Sequence, residues 1–159
     1  MPECSIVTKT WSELTTDELY ALLKLRTDVF FLEQQIDETE LDDRDQEPAT
    51  EHYWIADEQG IASYLRVIVD AEPAHRDACH LVGRVVTRPD ARGRGLSQQL
   101  IAEVIRRHGH QPMLLHAQTY IAPLYAKFGF EAFGEEYEEA GIPHFLMYRA
   151  ALTAEASAP

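Results

Sequence analysis

Cysteine is nearly absent: Cys4 and Cys79 are the only two in 159 residues, too few for a disulfide framework. None is needed, because a domain of this length buries roughly 70% of the surface that its unfolded chain exposes. Lysine is scarce as well, with Lys9, Lys24 and Lys127 against eleven arginines. Arginine is the better fork for phosphate, although a general arginine bias in composition looks the same. No apolar run approaches the ~18 residues of a membrane span, and the start Met1-Pro2-Glu3-Cys4 lacks the basic stretch and apolar core of a signal peptide. We therefore expect a cytoplasmic protein with no membrane partner. Positive charge is the largest deficit. Against 27 Asp and Glu stand 14 Lys and Arg, a formal net charge of −13 in a chain that is 45% apolar and 26% charged. Such a field repels phosphate backbones, which excludes nucleic acid as a partner but leaves room for a small anion bound locally.

The charge is unevenly spread. From Asp28 to Glu58 twelve carboxylates face Arg44 alone, a local charge near −11. From Leu81 to Pro112 the balance reverses, with Arg84, Arg88, Arg92, Arg94, Arg106 and Arg107 against Asp90 and Glu103, near +4. A basic island in an acidic protein suggests one anion site. The acidic run reads as a solvated loop ahead of the lining of a cation site.

Ser5 to Thr10 reads as a first strand, and Thr15-Thr16-Asp17-Glu18 as a capping box before Leu19, Leu22, Leu23 and Arg26 at helical spacing, a helix to about Phe30. Phe31 to Glu51 is polar and irregular. His52 to Ala56 and Ile61 to Val69 are strand-like runs joined by the turn Asp57-Glu58-Gln59-Gly60, and His80 to Thr87 is a further strand. A turn, Arg88 to Gly95, precedes Leu96, Leu100, Ile101, Val104 and Ile105 at helical spacing, closed near Gly109. Met113 to Ala117 reads as a buried strand, Tyr120 to Phe128 as a short helix stopped by Gly129, and Glu131 to Glu138 and His144 to Ala150 as strands around Gly141. The Ala/Ser/Pro-rich tail from Ala151 is expected to fray. This order implies an α/β or α+β fold, a mixed sheet with helices on its faces.

The glycine turn joins a strand to a helix, where unpaired amides and the helix dipole hold anions. It fits neither the P-loop pattern nor the dinucleotide fingerprint, since no Gly-Lys-Ser/Thr follows and Gln98 stands where a glycine is wanted. Arg92-Gly93-Arg94-Gly95-Leu96-Ser97 instead resembles the Arg/Gln-x-x-Gly-x-Gly/Ala signature of the GNAT N-acetyltransferases, with Ser97 in the last small position. Downstream, Gln118 to Phe130 resembles the GNAT segment in which Asn, seven residues before a Tyr, opens a short helix ending in Gly-Phe; here Gln118 replaces the Asn, Tyr125 is the tyrosine, and Gly129-Phe130 close it. Leu25 to Gln34, Gly83-Arg84-Val85-Val86 and Tyr137 to His144 are similar to the ElaA-like branch.

The resemblance implies one domain over residues 1–150, built on a mixed, splayed β-sheet of about seven strands flanked by about four helices, with acetyl-CoA as co-substrate between two central strands and no metal. It implies cofactor contacts from Arg92, Gly93, Arg94, Gly95, Leu96, Ser97, Gln118 and Tyr125, and a thioester-polarising amide at Val86 or its neighbours Val85 and Thr87. Tyr125 is implied as the acid that protonates the departing thiolate. A lysine-like amine costs roughly 4 to 5 kcal/mol to deprotonate at pH 7, so a base is worth seeking, and Glu33 and His144 are the candidates. His108, His110 and His116 form a loose cluster around a helix end with no carboxylate or cysteine at ligand spacing, so we reject a metal there.

The function expected is transfer of acetyl from CoA to an amine. Alternatives are an acetyl-CoA-binding regulatory module without turnover, and transfer of a longer acyl chain, since the first helix also resembles acyl-homoserine-lactone synthases. The acceptor partner is a small-molecule or protein amine. Glu33, Asp42, Asp43 and the Glu135 to Glu139 run would suit a cationic one. Monomer and homodimer are both compatible with the sequence.

Overall fold

The computed structural model describes residues 5–153; Cys4 and the end of the tail lie outside them. The Thr15 capping box forms as its spacing requires. The Glu18 amide donates to Thr15 Oγ1 at 3.1 Å and the Thr15 amide to Glu18 Oε1 at 2.9 Å, opening helix α1 (Thr16–Arg26). Where the sequence predicts an end near Phe30, the chain continues as a π-helix over Thr27–Glu33. The wider turn keeps Val29 on the buried face with Leu22 and Leu25, and Glu33 and Gln34 follow at the end of the segment, Gln34 in contact with Gln118 of β5.

Seven strands appear in the predicted order: β1 (Ile6–Thr10), β2 (Glu51–Asp57), β3 (Gly60–Val69), β4 (His80–Thr87), β5 (Met113–Gln118), β6 (Glu131–Glu139) and β7 (Ile142–Arg149). They form one sheet, β1-β2-β3-β4-β5-β7-β6, in which only β4 and β5 run parallel. Helix α2 (Leu96–His108) and the short α3 (Ala122–Ala126) cover one face, where Leu96, Leu100, Ile101 and Val104 pack with Leu65, Val67 and Leu115. Helix α1 and its π extension cover the other, against Trp54, Tyr64 and Val86. Among the described residues the α-helices are thus three where about four were expected, and the π segment supplies the remaining helical cover. On β6, an outer strand of the sheet, Glu131, Glu135, Glu136, Glu138 and Glu139 are all exposed.

Two irregularities open the middle of the sheet. Tyr64 pairs with Val86 and Arg66 with Gly83, so β4 carries one extra residue, and Arg84 takes a left-handed φ of 51° at this bulge. Strand β4 then pairs with β5 only at His80–Met113, Leu81–Leu114 and Val82–Leu115. From Gly83 onward the two strands part, and His116 to Gln118 pair with β7 alone.

The acidic run is not the solvated loop expected from its composition. Arg26 is fully buried, and Arg66 and Asp45 are 3% and 5% exposed. Both arginines donate to Asp45 at 2.8 Å; Arg26 also reaches Glu40 at 2.6 Å, and Arg66 donates to Asp42 at 2.9 Å. Behind them the Tyr64 hydroxyl donates to His52 Nδ1 at 2.7 Å, and His52 Nε2 donates to the Asp45 carbonyl at 3.1 Å. Burial pushes the His52 pKa down, which keeps the ring neutral beside two guanidinium groups. Carboxylates that look like surplus along the chain are therefore the counter-ions of arginines on α1 and β3.

Candidate active site

The parting of β4 and β5 makes a cleft of about 860 Å³. Its walls include Val85, Val86 and Thr87 of β4, the turn before α2, Gln118 and Tyr125, and toward the other end Glu139 and His144. Ser63 Oγ donates to the Val86 carbonyl, which therefore faces β3, whereas Arg92 Nε donates to the Thr87 carbonyl from the other side. Backbone groups alternate along a strand, so those of Val85 and Thr87 turn toward the gap.

The turn after β4 is shaped by Gly93 at φ 78° and by Gly95 at φ 72°, the N-cap of α2. No atom lies within 4 Å of where a Cβ would sit on either glycine, so it is the left-handed backbone that demands glycine here, and both face open space. Leu96 and Ser97 begin α2 at the cleft wall, and no side chain caps the helix. This end of α2 suits an anion.

The basic island is not a free positive patch. Arg84 meets Glu40 at 3.1 Å, Arg88 meets Asp57 at 2.6 Å, Arg92 meets Glu33 at 2.8 Å, Arg106 meets Glu103 at 2.7 Å and Arg107 meets Glu51 at 2.6 Å. Arg94 has the loosest partner, Asp57 at 3.9 Å. The end of the π-helix thus spans the cleft: Glu33 holds Arg92 on one side, and Gln34 Oε1 accepts from Gln118 Nε2 at 3.3 Å on the other.

Tyr125 is 5% exposed and meets Phe130 edge-on with centroids 6.3 Å apart. Its hydroxyl has no hydrogen-bond partner among the described residues. Burial pushes its pKa up, so it stays protonated at neutral pH. His144 Nδ1 lies 2.7 Å from the Ile142 carbonyl, which only accepts, so Nδ1 carries a hydrogen; Nε2 lies 3.4 Å from a Glu139 oxygen, an ion pair when the ring is protonated.

Residues 15–150 match the family described as Acetyltransferase (GNAT) domain. The chain belongs to the GNAT acetyltransferase family. It falls in the ElaA-like branch: Protein ElaA of Escherichia coli (strain K12) is 35% identical over 152 residues, covering 90% of this chain and 94% of that protein. A UPF0039 protein of Mycobacterium tuberculosis is 37% identical over 143 residues, covering 89% and 90%. Among solved structures, an acyl-CoA N-acyltransferase from Pseudomonas aeruginosa superposes with a TM-score of 0.81 at 36% identity, covering 92% of this chain and 99% of that one. E. coli ElaA gives 0.83 at 30% identity, covering 91% and 98%. A CoA-dependent acyl-homoserine lactone synthase, with a TM-score of 0.74 at 16% identity over 95% of this chain and 85% of that one, shares the fold alone.

In this GNAT member the structure separates the histidines that sequence proximity grouped. His108 bonds Glu51 and lies against His80 with centroids 5.2 Å apart, whereas His116 stands at the cleft, bonded to Tyr137. Among the described residues no group of three or more His, Cys, Asp or Glu is placed to hold a metal ion, and no helix is long and apolar enough to cross a membrane. Sequence reasoning assigned no role to Arg66, Gln34, His116 or Tyr137. A lone arginine inside the apolar run Ile61 to Val69 was the one available signal for the buried network.

Proposed function

We propose that this chain is an acetyl-CoA-dependent N-acetyltransferase that moves acetyl directly from the thioester to an amine. The observation that carries the reading is Tyr125: a tyrosine with a buried ring and a protonated hydroxyl that no described residue engages, on the wall of a cleft that the sheet opens beside a glycine-formed anion cradle. The name of the Pseudomonas relative, an acyl-CoA N-acyltransferase, supports it.

Acetyl-CoA supplies an activated acetyl group and a thiolate leaving group. The residues fit it. The amides at Gly93 to Ser97 and the Arg94 guanidinium take the phosphates, joined by Arg92 once it lets go of Glu33, and Gln118 exchanges Gln34 for the cofactor arm. The Val85 amide, facing the gap, polarises the thioester carbonyl, with Val86 and Thr87 as the flanking walls. His144 Nε2 takes the proton that the amine gives up, and Glu139 stabilises the resulting imidazolium. The amine nitrogen forms its bond to the acyl carbon, the carbon–sulfur bond breaks, and Tyr125 passes its hydroxyl proton to the sulfur. Glu33 is better suited to guarding Arg92 than to taking a proton, because its oxygen is committed to that guanidinium.

Two measurements follow. Acetyl-CoA at a hundred times its Kd stabilises the fold by about 2.7 kcal/mol, a rise in Tm of roughly 5–10 °C; no rise at millimolar acetyl-CoA would remove the reading. Glu33→Gln frees Arg92, and because half-exposed pairs contribute up to about 1 kcal/mol, acetyl-CoA binds up to about fivefold tighter by calorimetry while kcat stays within threefold. A collapse of kcat would instead make Glu33 the base.

A further inference from the structure

The β6–β7 hairpin brings groups to the His144 end of the cleft that no spacing in the chain connects. His116 and Gln118, two residues apart on β5, share one face of the sheet. Nδ1 of His116 lies 2.6 Å from the Tyr137 hydroxyl. Tyr137 pairs with His144 in the β6–β7 register, and the two rings stack with centroids 5.8 Å apart. The same tyrosine meets His116 edge-on at 6.2 Å. Tyr137 therefore contacts both imidazoles, one by stacking and one by a hydrogen bond. His116, His144 and Glu139 line the cleft, and Nε2 of His116 has no partner among the described residues.

The Ile142 carbonyl holds the His144 ring through Nδ1, so that in the neutral ring Nε2 is an acceptor, and the half-exposed Glu139 carboxylate lies 3.4 Å from it. His116 joins them when its Nδ1–H donates to the Tyr137 oxygen, since the lone pair is then on Nε2, the free nitrogen. We propose that His116 is an acceptor-binding residue of the enzyme, completing with His144 and Glu139 a cup of three hydrogen-bond acceptors for the amine nitrogen, and that Tyr137 is the positioning residue that fixes the His116 ring. The proposal rests on the N-acetyltransferase reading above.

Such a cup works only while both imidazoles are neutral. The titratable groups that act on His116 are Tyr137 and Glu139 on β6 and His144 on β7. The His116 side chain is exposed on the cleft wall, and the partial loss of hydration there, together with the neighbouring His144, pushes its pKa down against the opposing pull of Glu139, so the ring charges only below the ordinary imidazole range. Burial and Glu139 push Tyr137 up to about 12, which leaves it a neutral phenol wherever the enzyme works.

The test needs two readouts. Imidazole titration by 15N NMR on the full chain needs no substrate. We expect the His116 midpoint to lie below that of a free imidazole and to rise in His144→Asn; a midpoint indifferent to that change overturns the paired site. Steady-state kinetics then use acetyl-CoA and the amine that releases thiol fastest in a panel. His116→Asn, which cannot titrate, is expected to raise the amine KM about tenfold, the loss of one hydrogen bond, with kcat within threefold and acetyl-CoA affinity unchanged. Its acid limb of kcat/KM shows one protonation where the wild type shows two. Tyr137→Phe raises the same KM and keeps the two-group limb. An unchanged KM and an unchanged acid limb in His116→Asn overturn the proposal. If no amine in the panel releases thiol, or acetyl-CoA fails to protect the fold, the N-acetyltransferase reading has failed instead, and the NMR arm still decides whether the two imidazoles act on each other.

Discussion

Tyr125→Phe lowers kcat by about a hundredfold or more while acetyl-CoA affinity and thermal stability stay within error, because a positioned general acid contributes roughly 10²–10⁴. The substitution is unusually clean. A buried tyrosine hydroxyl is ordinarily tied to a partner, so removing it leaves an unsatisfied group and costs 1–3 kcal/mol or so. Here the hydroxyl has no partner, and the ring contact with Phe130 survives in phenylalanine. A structural role predicts almost no effect on turnover, and an acid role predicts a large one. The raised pKa adds a second signature: Tyr125 gives the wild-type enzyme no basic limb below about pH 10, and a limb there that disappears in Tyr125→Phe would contradict the assignment. An unchanged kcat would leave the departing thiolate to be protonated by water.

The largest effect on stability belongs to Asp45→Asn. Its carboxylate is the shared counter-ion of Arg26 and Arg66, two guanidinium groups almost without solvent. Removing the shared partner of buried charges costs about 3–5 kcal/mol, because Arg26 and Arg66, kept from water, are left with only the partly exposed Glu40 and Asp42 as counter-ions. For a domain of this size that is a fall in Tm on the order of 10 °C, measured by calorimetry. The same carboxylates set an acid limit. Hydrogen bonds and charge from Arg66 overcome the opposing effect of burial and hold Asp42 down to about 2, and Arg26 and Arg66 do the same in direction for Asp45. A depressed carboxylate stabilises fully above its unfolded pKa near 3.8 and loses that contribution as pH falls through the folded value. Wild-type stability should therefore drop between about pH 4 and pH 2, and Asp45→Asn should show a shallower drop. A Tm within 2 °C of wild type would mean that water reaches the pair.

These two predictions draw on opposite kinds of information. The glycine turn and the short helix that carries Tyr125 are legible because local backbone geometry writes local sequence: a strand, left-handed glycines, an amphipathic helix, and a short helix ending at Gly129-Phe130; the role of Tyr125 itself comes from the family resemblance. The succession of strands and helices along the chain is legible for the same reason, whereas the place of β7 between β5 and β6 is not. The buried network is not either, because Arg26 finds Asp45 at a distance of nineteen residues and Arg84 finds Glu40 at forty-four, and no periodicity marks such pairs. Composition even pointed the wrong way, since twelve carboxylates in one stretch look like solvent-facing chain until their arginines arrive from elsewhere. His116 was misplaced for a simpler reason. Numerical closeness to His108 and His110 hides the alternation of β5, which puts His116 on the sheet face opposite the core residue Leu115, where it borders the cleft. The π continuation of α1 had no signal at all in the spacing of Leu22, Leu25 and Val29.

Once the arginines have taken their partners, much of the remaining negative charge stands on β6. An outer strand offers a row of unused backbone donors and acceptors, the template on which sheets of different molecules join. Five exposed glutamates line this one. Two copies brought strand to strand would crowd like charges along its length, so the sheet ends at β6 instead of propagating into a fibre. That protection is purely electrostatic, so salt removes it: at molar ionic strength the reach of each charge shrinks to about 3 Å, and the strand is left with its unused donors and acceptors but without the repulsion that guards them.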